Sequence, residues 1–241
     1  MTISFFLTFD QPGNPDARIG AAEQARFVSI VKATPNLQKA LIYTPESTED
    51  PYLNDGPPPL LAAQLYFADI AALEAALVPA GHLQGLSSAR DFPSLAGADI
   101  TQQAMLTRTF PVPDPEFRTR PGDLPCTYLV AYEGTAQDLH HWLSHYIAHH
   151  PPIMARFPAI RQIEIYTRLD WCGLLPGRRV DYMQRNKVVF DDAAALTAAL
   201  NSPVRHEMRA HFHSFPPFAG RNSHYPMATL SLGPDPSAGS G

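Results

Sequence analysis

The chain alternates between short apolar, β-prone runs and stretches in which apolar residues recur at helical spacing. Residues 3–9 (ISFFLTF) predict a first strand, and residues 21–33 predict a helix that ends before Pro35. A second helix, 70–77, is predicted after Asp69, because an aspartate carboxylate caps helix N-termini. Further strands are predicted at 37–44, 62–67 and 101–109. The first half therefore has the predicted order β-α-β-β-α-β.

The second half has the same predicted order. A histidine-rich helix is predicted at 136–150, and another helix starts after Asp192 and runs to Leu200. An additional helical piece is predicted at 203–213. The strands of this half are predicted at 126–132, 160–167, 183–190 and 224–231.

The two halves also match residue by residue, at a constant offset of 123 positions. The matching pairs are Pro35/Pro158, Tyr43/Tyr166, Thr44/Thr167, Phe67/Phe190, Asp69/Asp192, Leu73/Leu196 and Leu77/Leu200. Two separate blocks share this offset, which favours a duplicated domain over a coincidence of secondary-structure patterning.

Each half is predicted to be a ferredoxin-like unit, in which both helices cover one face of a four-stranded antiparallel sheet. The other face of that sheet must also be buried, and the twin sheet of the same chain is the simplest cover. We therefore predict an α+β fold in which two repeats form a pseudo-dimeric barrel, with a small-molecule cavity between the sheets. The predicted parts are an N-terminal scaffold repeat (1–109), a linker (110–125), a C-terminal repeat with the site (126–231) and a flexible tail (232–241).

Composition excludes several function classes. The 241 residues are 45% hydrophobic and carry a net charge of −5 without a basic stripe, which argues against nucleic-acid binding. No apolar run approaches the roughly 18 residues of a membrane helix, and the first residues lack the basic region of a signal peptide. Two cysteines imply no disulfide framework, so we expect a cytoplasmic protein.

The predicted helix 136–150 concentrates five of the ten histidines. At about 100° per residue, its sheet-facing side carries Leu139, Trp142, Leu143, Tyr146 and His150. His150 stands at the predicted C-terminus of the helix, where the macrodipole favours the imidazolium and burial opposes it. These opposing effects predict an imidazole that titrates near neutrality and can act as a general base.

The segment His150-Pro151-Pro152, followed by Phe157-Pro158 and a strand, resembles the EthD-like branch of the dimeric α+β barrel superfamily. Tyr146 precedes His150 by four residues, as in the motif of that branch, and the closing segment 224–227 resembles its last strand. The resemblance implies a small-molecule enzyme, since the superfamily includes oxygenases, cyclases, isomerases, dehydratases, decarboxylases and a few haem enzymes. Phe27 occupies the position of His150 in the first half, so we expect one pocket, in the second half.

Candidate site residues are grouped around His150 as the acid–base residue, with a tyrosine to polarise or orient the substrate. The catalytic candidates are His150, Tyr146, Tyr166, Tyr128 and His149. The substrate-binding candidates are His145, Trp171, Arg179, Asp181 and His213. An arginine can bind a carboxylate, and an aspartate can fix a histidine tautomer. The competing interpretations are solvated helix histidines, a packing role for Tyr166 and a surface position for Arg179.

The leading hypothesis is a cofactor-independent lyase, of dehydratase or decarboxylase type, acting on an aromatic or apolar small molecule. The alternatives are a cofactor-free oxygenase or isomerase of the same fold, and a non-catalytic or haem-binding barrel. A metal site is a further alternative, because His141, His145 and His149 recur at every fourth position. The first and third of these lie about 12 Å apart along a helix axis, and no HExxH or CxxC motif is present, so we predict no metal. We expect no cofactor, no nucleic-acid or membrane partner, and allow for a homodimer.

Overall fold

The computed structural model describes residues 2–233, and its first repeat contains the predicted elements. The strands are β1 (Thr2–Asp10), β2 (Leu37–Pro45), β3 (Leu61–Phe67) and β4 (Asp99–Phe110). The helices are α1 (Ala21–Lys32) and α2 (Ile70–Leu77), and two short 3-10 helices, His82–Ser87 and Pro93–Leu95, precede β4.

The second repeat begins after the segment 111–125 and adds three short strands to the same plan. Its strands are β5 (Cys126–Tyr132), β6 (Thr135–Ala136), β7 (Gln162–Arg168), β8 (Arg178–Arg179), β9 (Gln184–Phe190), β10 (Phe218–Ala219) and β11 (Asn222–Leu232). Its helices are α3 (Leu139–Met154), α4 (Ala193–Leu200) and α5 (Pro203–Phe212). The predicted tail, 232–241, lies outside the described residues from 234 onward. Among the described residues, no helix combines the length and apolarity needed to cross a bilayer.

The eight long strands form one closed barrel, which confirms the predicted fold class. The first repeat contributes the neighbours β4-β1-β3-β2, and the second contributes β11-β5-β9-β7. Antiparallel pairing of β2 with β11 and of β4 with β7 joins the two sheets at both edges. Within residues 2–233, no long strand is left with an unpaired edge, which removes the usual route to edge-to-edge aggregation.

Local backbone features repeat at the same offset as the sequence. Asp69 and Asp192 both cap their helices by accepting a hydrogen bond from the backbone N–H three residues later. Asn36 and Ala159 both have a left-handed backbone, with φ of 60° and 57°, in the turn that follows the first helix of each repeat. An alanine rarely adopts this conformation, so the tertiary structure imposes the turn in both repeats.

Side chains fill the middle of the barrel interior, so the predicted space between the two sheets is confined to a cleft at one end of the barrel. The interior cluster consists of Phe6, Leu41, Tyr43, Ala62, Tyr66, Met105, Leu129, Tyr166 and Met227. Polar residues complete it: the Glu164 carboxylate accepts hydrogen bonds from Tyr66 at 2.7 Å and Tyr166 at 2.6 Å and lies 3.2 Å from the Lys187 ammonium. Lys187 is fully buried, and burial lowers its pKa to about 8.

Two larger cores lie between the sheets and their helices. In the first repeat, Phe27 is fully buried and packs edge-to-face against Phe9 and Phe92. The equivalent layer of the second repeat contains His150 in place of Phe27, with Trp142 and Tyr146 on the same helix. Phe27 thus fills, as part of an apolar core, the position that His150 occupies in the second repeat.

The loop after the second strand of each repeat crosses to cover the other repeat. Loop 46–60 brings Asp50 to Arg205 on α5, with a carboxylate–guanidinium distance of 2.9 Å. Loop 169–183 brings Trp171 to Phe5, with ring centroids 5.4 Å apart. The cause is the strand pairing at the barrel edges, because β2 and β7 each run beside a strand of the other repeat. Each helical layer is therefore closed by its neighbour's loop.

The barrel interior depends on the buried ion pair between Glu164 and Lys187. We expect Glu164→Gln to lower the free energy of unfolding by about 3–5 kcal/mol, because it leaves a buried ammonium without its counter-ion. Urea denaturation at neutral pH measures this change. Lys187→Met added to Glu164→Gln should recover most of the loss, because the uncompensated charge is then absent.

The matched control is Glu207→Gln, which removes the carboxylate of an exposed ion pair with Arg156. Exposed pairs contribute little, so its cost should stay below about 1 kcal/mol. Equal costs for the two glutamine variants would show that the buried pair does not stabilise the barrel.

Candidate active site

A cavity opens between the sheet and the helical layer of the second repeat. It encloses about 760 Å³ of space, counted out to its mouth and including open solvent there. Most of the wall is apolar or aromatic. The lining residues include Leu53, Tyr128, Val130, Tyr132, Tyr146, His150, Met154, Phe157, Asn186, Val188, Phe190, Arg205, Met208, Phe212 and His224.

Helix α3 presents an aromatic column to the cavity because its buried residues recur every four positions. The rings of Trp142 and Tyr146 stack with centroids 5.1 Å apart, and the ring centroids of Tyr146 and His150 are 4.6 Å apart. Phe215, after α5, packs against the rings of all three. The column holds His150 in one orientation at the inner end of the aromatic surface.

Helix α3 does not end at His150, contrary to the sequence prediction. It continues through Pro151 and Pro152 to Met154, with Ala155 as its C-cap. A proline inside a helix removes one backbone hydrogen bond, but its φ is compatible with a helix. The packing of this last turn compensates for the hydrogen bonds that the two prolines remove. His150 therefore lies a turn inside the helix, and the expected stabilisation of its cation by the helix terminus does not apply.

His150 is hydrogen-bonded to a second histidine, His211 on α5. The two Nδ1 atoms are 2.8 Å apart, so one imidazole donates and the other accepts. If His150 donates, its Nε2 has a free lone pair toward the cavity; if it accepts, its Nε2 carries the proton. The pair can thus offer either a base or an acid to a ligand, depending on the tautomer.

Burial holds the pKa of His150 well below its ordinary value, and repulsion from His211, His224 and Arg205 adds to the effect. Burial also lowers the pKa of the less enclosed His211. His150 is therefore neutral at neutral pH, and the expectation that it titrates near neutrality was wrong. The His211 ring stacks on His145, with centroids 5.3 Å apart, and His145 lies 4.8 Å from the exposed His149. These rings lead from the cavity to the surface.

A third imidazole, His224 on β11, lines the same cavity in a different electrostatic setting. Its Nδ1 lies 2.9 Å from a carboxylate oxygen of Asp55. Burial raises the pKa of the Asp55 carboxyl, but hydrogen bonding and attraction to His224 outweigh it, and the net shift is downward. The carboxylate therefore stays ionised beside the His224 ring.

The cavity mouth is built from both repeats. Asp50, in loop 46–60, accepts a hydrogen bond from Tyr128 at 2.8 Å and pairs with Arg205 through both carboxylate oxygens. Leu53 of the same loop lines the cavity. The first repeat thus supplies part of the site, beyond the scaffold role that the sequence predicts for it.

One buried polar atom in the cavity wall has no partner among the described residues. Asn186 on β9 donates through Nδ2 to the Tyr146 hydroxyl at 2.8 Å, while its Oδ1 accepts no hydrogen bond. Asn186 is 1% exposed and lines the cavity. An orphaned buried acceptor is costly, so Asn186 is the polar position of this wall whose hydrogen-bonding capacity is not met within the described protein.

Three predicted site residues, His150, Tyr146 and Tyr128, line one cavity together. His145 and His149 lie behind it, in the ring contacts that lead from His211 to the surface. Their catalytic and binding roles remain predictions that these positions allow.

The other predicted residues lie elsewhere, and their placement at the pocket is corrected. Tyr166 points into the barrel interior, because β7 turns its odd and even positions to opposite faces. Trp171 and Arg179 stack on each other at 4.0 Å over the first repeat, to which their loop crosses. Asp181 is exposed and pairs with Arg168, and His213 is an exposed C-cap of α5.

Several residues that line the cavity or contact its lining residues were not singled out from the sequence. His211, His224 and Asn186 each had a weak signal, since the first two lie in segments of interest and the third replaces Ala63 of the first repeat. Asp50 and Asp55 had none, because loop crossing between repeats leaves no trace in local sequence. Among the described residues, no group of three or more histidine, cysteine, aspartate or glutamate side chains is arranged to hold a metal ion.

No family model matches the sequence. No curated protein matches it either. Solved structures do match, across nearly the whole chain. An anthrone oxidase-like protein is 14% identical, with a TM-score of 0.61 over 96% of this chain and 92% of its own. A putative monooxygenase from Lactobacillus acidophilus is 10% identical, with a TM-score of 0.52 over 97% of both chains. A putative monooxygenase from Fusobacterium nucleatum is 7% identical, with a TM-score of 0.54 over 95% of this chain and 92% of its own. At these identities the likeness establishes the fold, which is that of the dimeric α+β barrels.

Proposed function

We propose that the protein is a cofactor-independent lyase in which His150 and His224 act as base and acid on an aromatic or apolar small molecule. The observation that supports this most is the placement of two imidazoles with different partners in one apolar cavity, His150 beside another imidazole and His224 beside a carboxylate. Proton removal and leaving-group protonation need two such groups, one on each side of the substrate.

His150 is the base of this proposal. In the tautomer that donates Nδ1–H to His211, the His150 Nε2 lone pair takes a proton from a substrate carbon. The Nδ1 proton then moves along the hydrogen bond to His211, which is less enclosed than His150. The positive charge therefore leaves the cavity, where burial disfavours it.

His224 is the acid. As the carbon–hydrogen bond breaks at His150, its electron pair forms the new double bond and the bond to the leaving oxygen breaks. The leaving oxygen takes a proton from His224, and Asp55 balances the charge of that imidazole before transfer. Proton gain at one histidine and proton loss at the other leave the site neutral overall.

The wall of the cavity favours a flat apolar substrate with one polar anchor. Tyr132, Tyr146 and Phe212 supply aromatic surface, and the Asn186 Oδ1 acceptor fits a phenolic hydroxyl or N–H group. Anthrone, the compound in the name of one structure with this fold, is apolar and has an acidic carbon–hydrogen bond. It therefore serves as a first probe.

The same base would also start a cofactor-free oxygenation or an isomerisation. His224 with Asp55 favours the lyase, because an oxygenase that begins from a carbanion needs no acid for a leaving group. Assignment to the EthD-like branch, a cytoplasmic location and a homodimer remain predictions of this proposal.

His150→Gln should slow proton exchange into the probe. Incubated with anthrone in deuterated buffer under argon, the wild-type protein should catalyse deuterium uptake at the methylene carbon. Positioned general bases contribute about 10²–10⁴-fold, so the variant should lose at least about 100-fold in this rate, measured by NMR. His141→Gln, on the exposed side of the same helix, is the matched control and should retain the rate.

An oxygen electrode separates the two enzymatic alternatives. A lyase consumes no oxygen when air is admitted, whereas protein-dependent oxygen uptake lost in His150→Gln would identify the oxygenase. A Soret band in the purified protein would favour the haem alternative. Equal exchange rates for His150→Gln and wild type would remove His150 from the site.

The pH dependence follows from the depressed pKa of His150. A base works only when deprotonated, so wild-type exchange should stay constant as pH falls through about 6.5, the ordinary histidine pKa. Its acid limb should lie below that value. His211→Leu removes one repulsive neighbour and should move the limb upward. An acid limb at or above the ordinary value in the wild type would contradict a buried base.

His224→Asn should slow elimination most for substrates whose leaving group must be protonated as it departs. With phenoxyethyl methyl ketone as probe, phenol release should fall at least about tenfold, because phenoxide leaves poorly without a proton. Release of para-nitrophenol from the nitro analogue should change little, since that anion leaves unaided. Equal losses for both probes would indicate a positioning role for His224 instead.

A further inference from the structure

A second cleft lies at one end of the barrel, on the opposite side of the sheet from the proposed active site. It encloses about 1170 Å³, counted out to its mouth. Strand ends of both repeats form its floor, with Asp10 from β1 and Arg185 from β9, and the proline segment 57–59 forms one wall. Apart from Asp55, its charged lining residues take no part in the proposed lyase chemistry.

Most charges around the cleft are paired within the protein. Arg178 donates to Asp99 at 2.7 Å, and Arg221 lies 3.6 Å from Glu133. Asp55 is paired with His224, as described above. Two charged side chains that line the cleft are left over in the described part of the chain, Arg185 and Asp10.

Arg185 is 5% exposed and forms no ion pair with any described residue. Its guanidinium faces Phe6 at 5.0 Å and Tyr182 at 4.6 Å. Its single hydrogen bond is a long one, from Nε to Gln103 at 3.5 Å. The two terminal nitrogens donate to no described residue. Aromatic contacts fix the faces of the guanidinium, while the edge that binds carboxylates in a bidentate way is unused.

Asp10 is the matching leftover acid. Its carboxylate makes no ion pair and accepts no hydrogen bond from the described residues. Burial and repulsion from Asp99 raise its pKa to about 6, against an attraction to Arg185. Arg185 and Asp10 thus attract each other electrostatically across the cleft but form no hydrogen bond or ion pair. Both would gain from a ligand that brings the opposite charge to each.

We infer that this cleft is a binding site for a small zwitterion of the amino-acid class, with its carboxylate on the Arg185 edge and its ammonium on Asp10. A dianion such as phosphate fits less well, because Asp10, Asp99 and Glu133 all line the same walls. A simple cation fits less well because of Arg185.

Isothermal titration calorimetry of the full chain tests the site with single-ended and double-ended probes. The double-ended probes are glycine, γ-aminobutyrate and ε-aminocaproate, which differ in the separation of their charges. Butyrate and butylamine are single-ended. At least one zwitterion should bind about tenfold more tightly than both single-ended probes. No detectable zwitterion binding, or equal binding of butyrate, would overturn the inference.

Single substitutions test which protein residue binds each charged end of the ligand. Arg185→Met should weaken zwitterion and butyrate binding by at least about tenfold, without lowering the melting temperature, since it removes an unpaired buried charge. Asp10→Asn should weaken only the zwitterion, and its partly exposed position makes misfolding unimportant. The matched control is Arg168→Met, which removes an arginine of the neighbouring strand β7 that does not line the cleft. It should leave zwitterion binding intact. Unchanged zwitterion binding in Asp10→Asn or Arg185→Met would place the ligand elsewhere.

Discussion

The constraint on which the structure depends is that each four-stranded sheet has two apolar faces to bury. Helices cover one face, and the twin sheet covers the other through the pairings of β2 with β11 and β4 with β7. Closure packs Tyr43, Tyr66 and Tyr166 into the barrel interior and leaves no room there for a substrate. Ligand space can therefore form only under the helices or at the open ends of the barrel, and both cavities lie there.

Duplication then allowed the two helical layers to diverge. At equivalent positions, Phe27, Phe9 and Ala63 of the first repeat correspond to His150, Tyr132 and Asn186 of the second. The first set packs into an aromatic core, and the second places polar atoms against a cavity. Because the loops after β2 and β7 cross between repeats, the filled repeat still contributes Asp50 and Asp55 to the open one. Neither repeat is complete by itself.

Sequence patterns were sufficient for the elements, the repeat and the barrel, because hydrophobic periodicity and a constant offset are local or internal signals. They also selected His150, from helix phase and its replacement by Phe27. The sequence could not show which face of β7 packs against the helices and which faces the barrel interior. Tyr166 was therefore assigned to the pocket, whereas it lies in the barrel interior. Nor could they anticipate that packing carries α3 through two prolines, or that Trp171 belongs to the other repeat. These features depend on tertiary contacts between distant segments.

The environment of His150 also restricts what the site can act on. An imidazole whose pKa is held well below its ordinary value is a weak base, so it can remove only a proton that is already acidic. Such protons stand next to carbonyl groups or on carbons whose anions are delocalised into aromatic rings. The apolar wall opposes a charged substrate but accepts a delocalised anion, and the hydrogen bond to His211 spreads the charge that His150 gains. Under the proposed function, weak basicity and apolar walls thus favour the same substrates, activated carbon acids of low polarity.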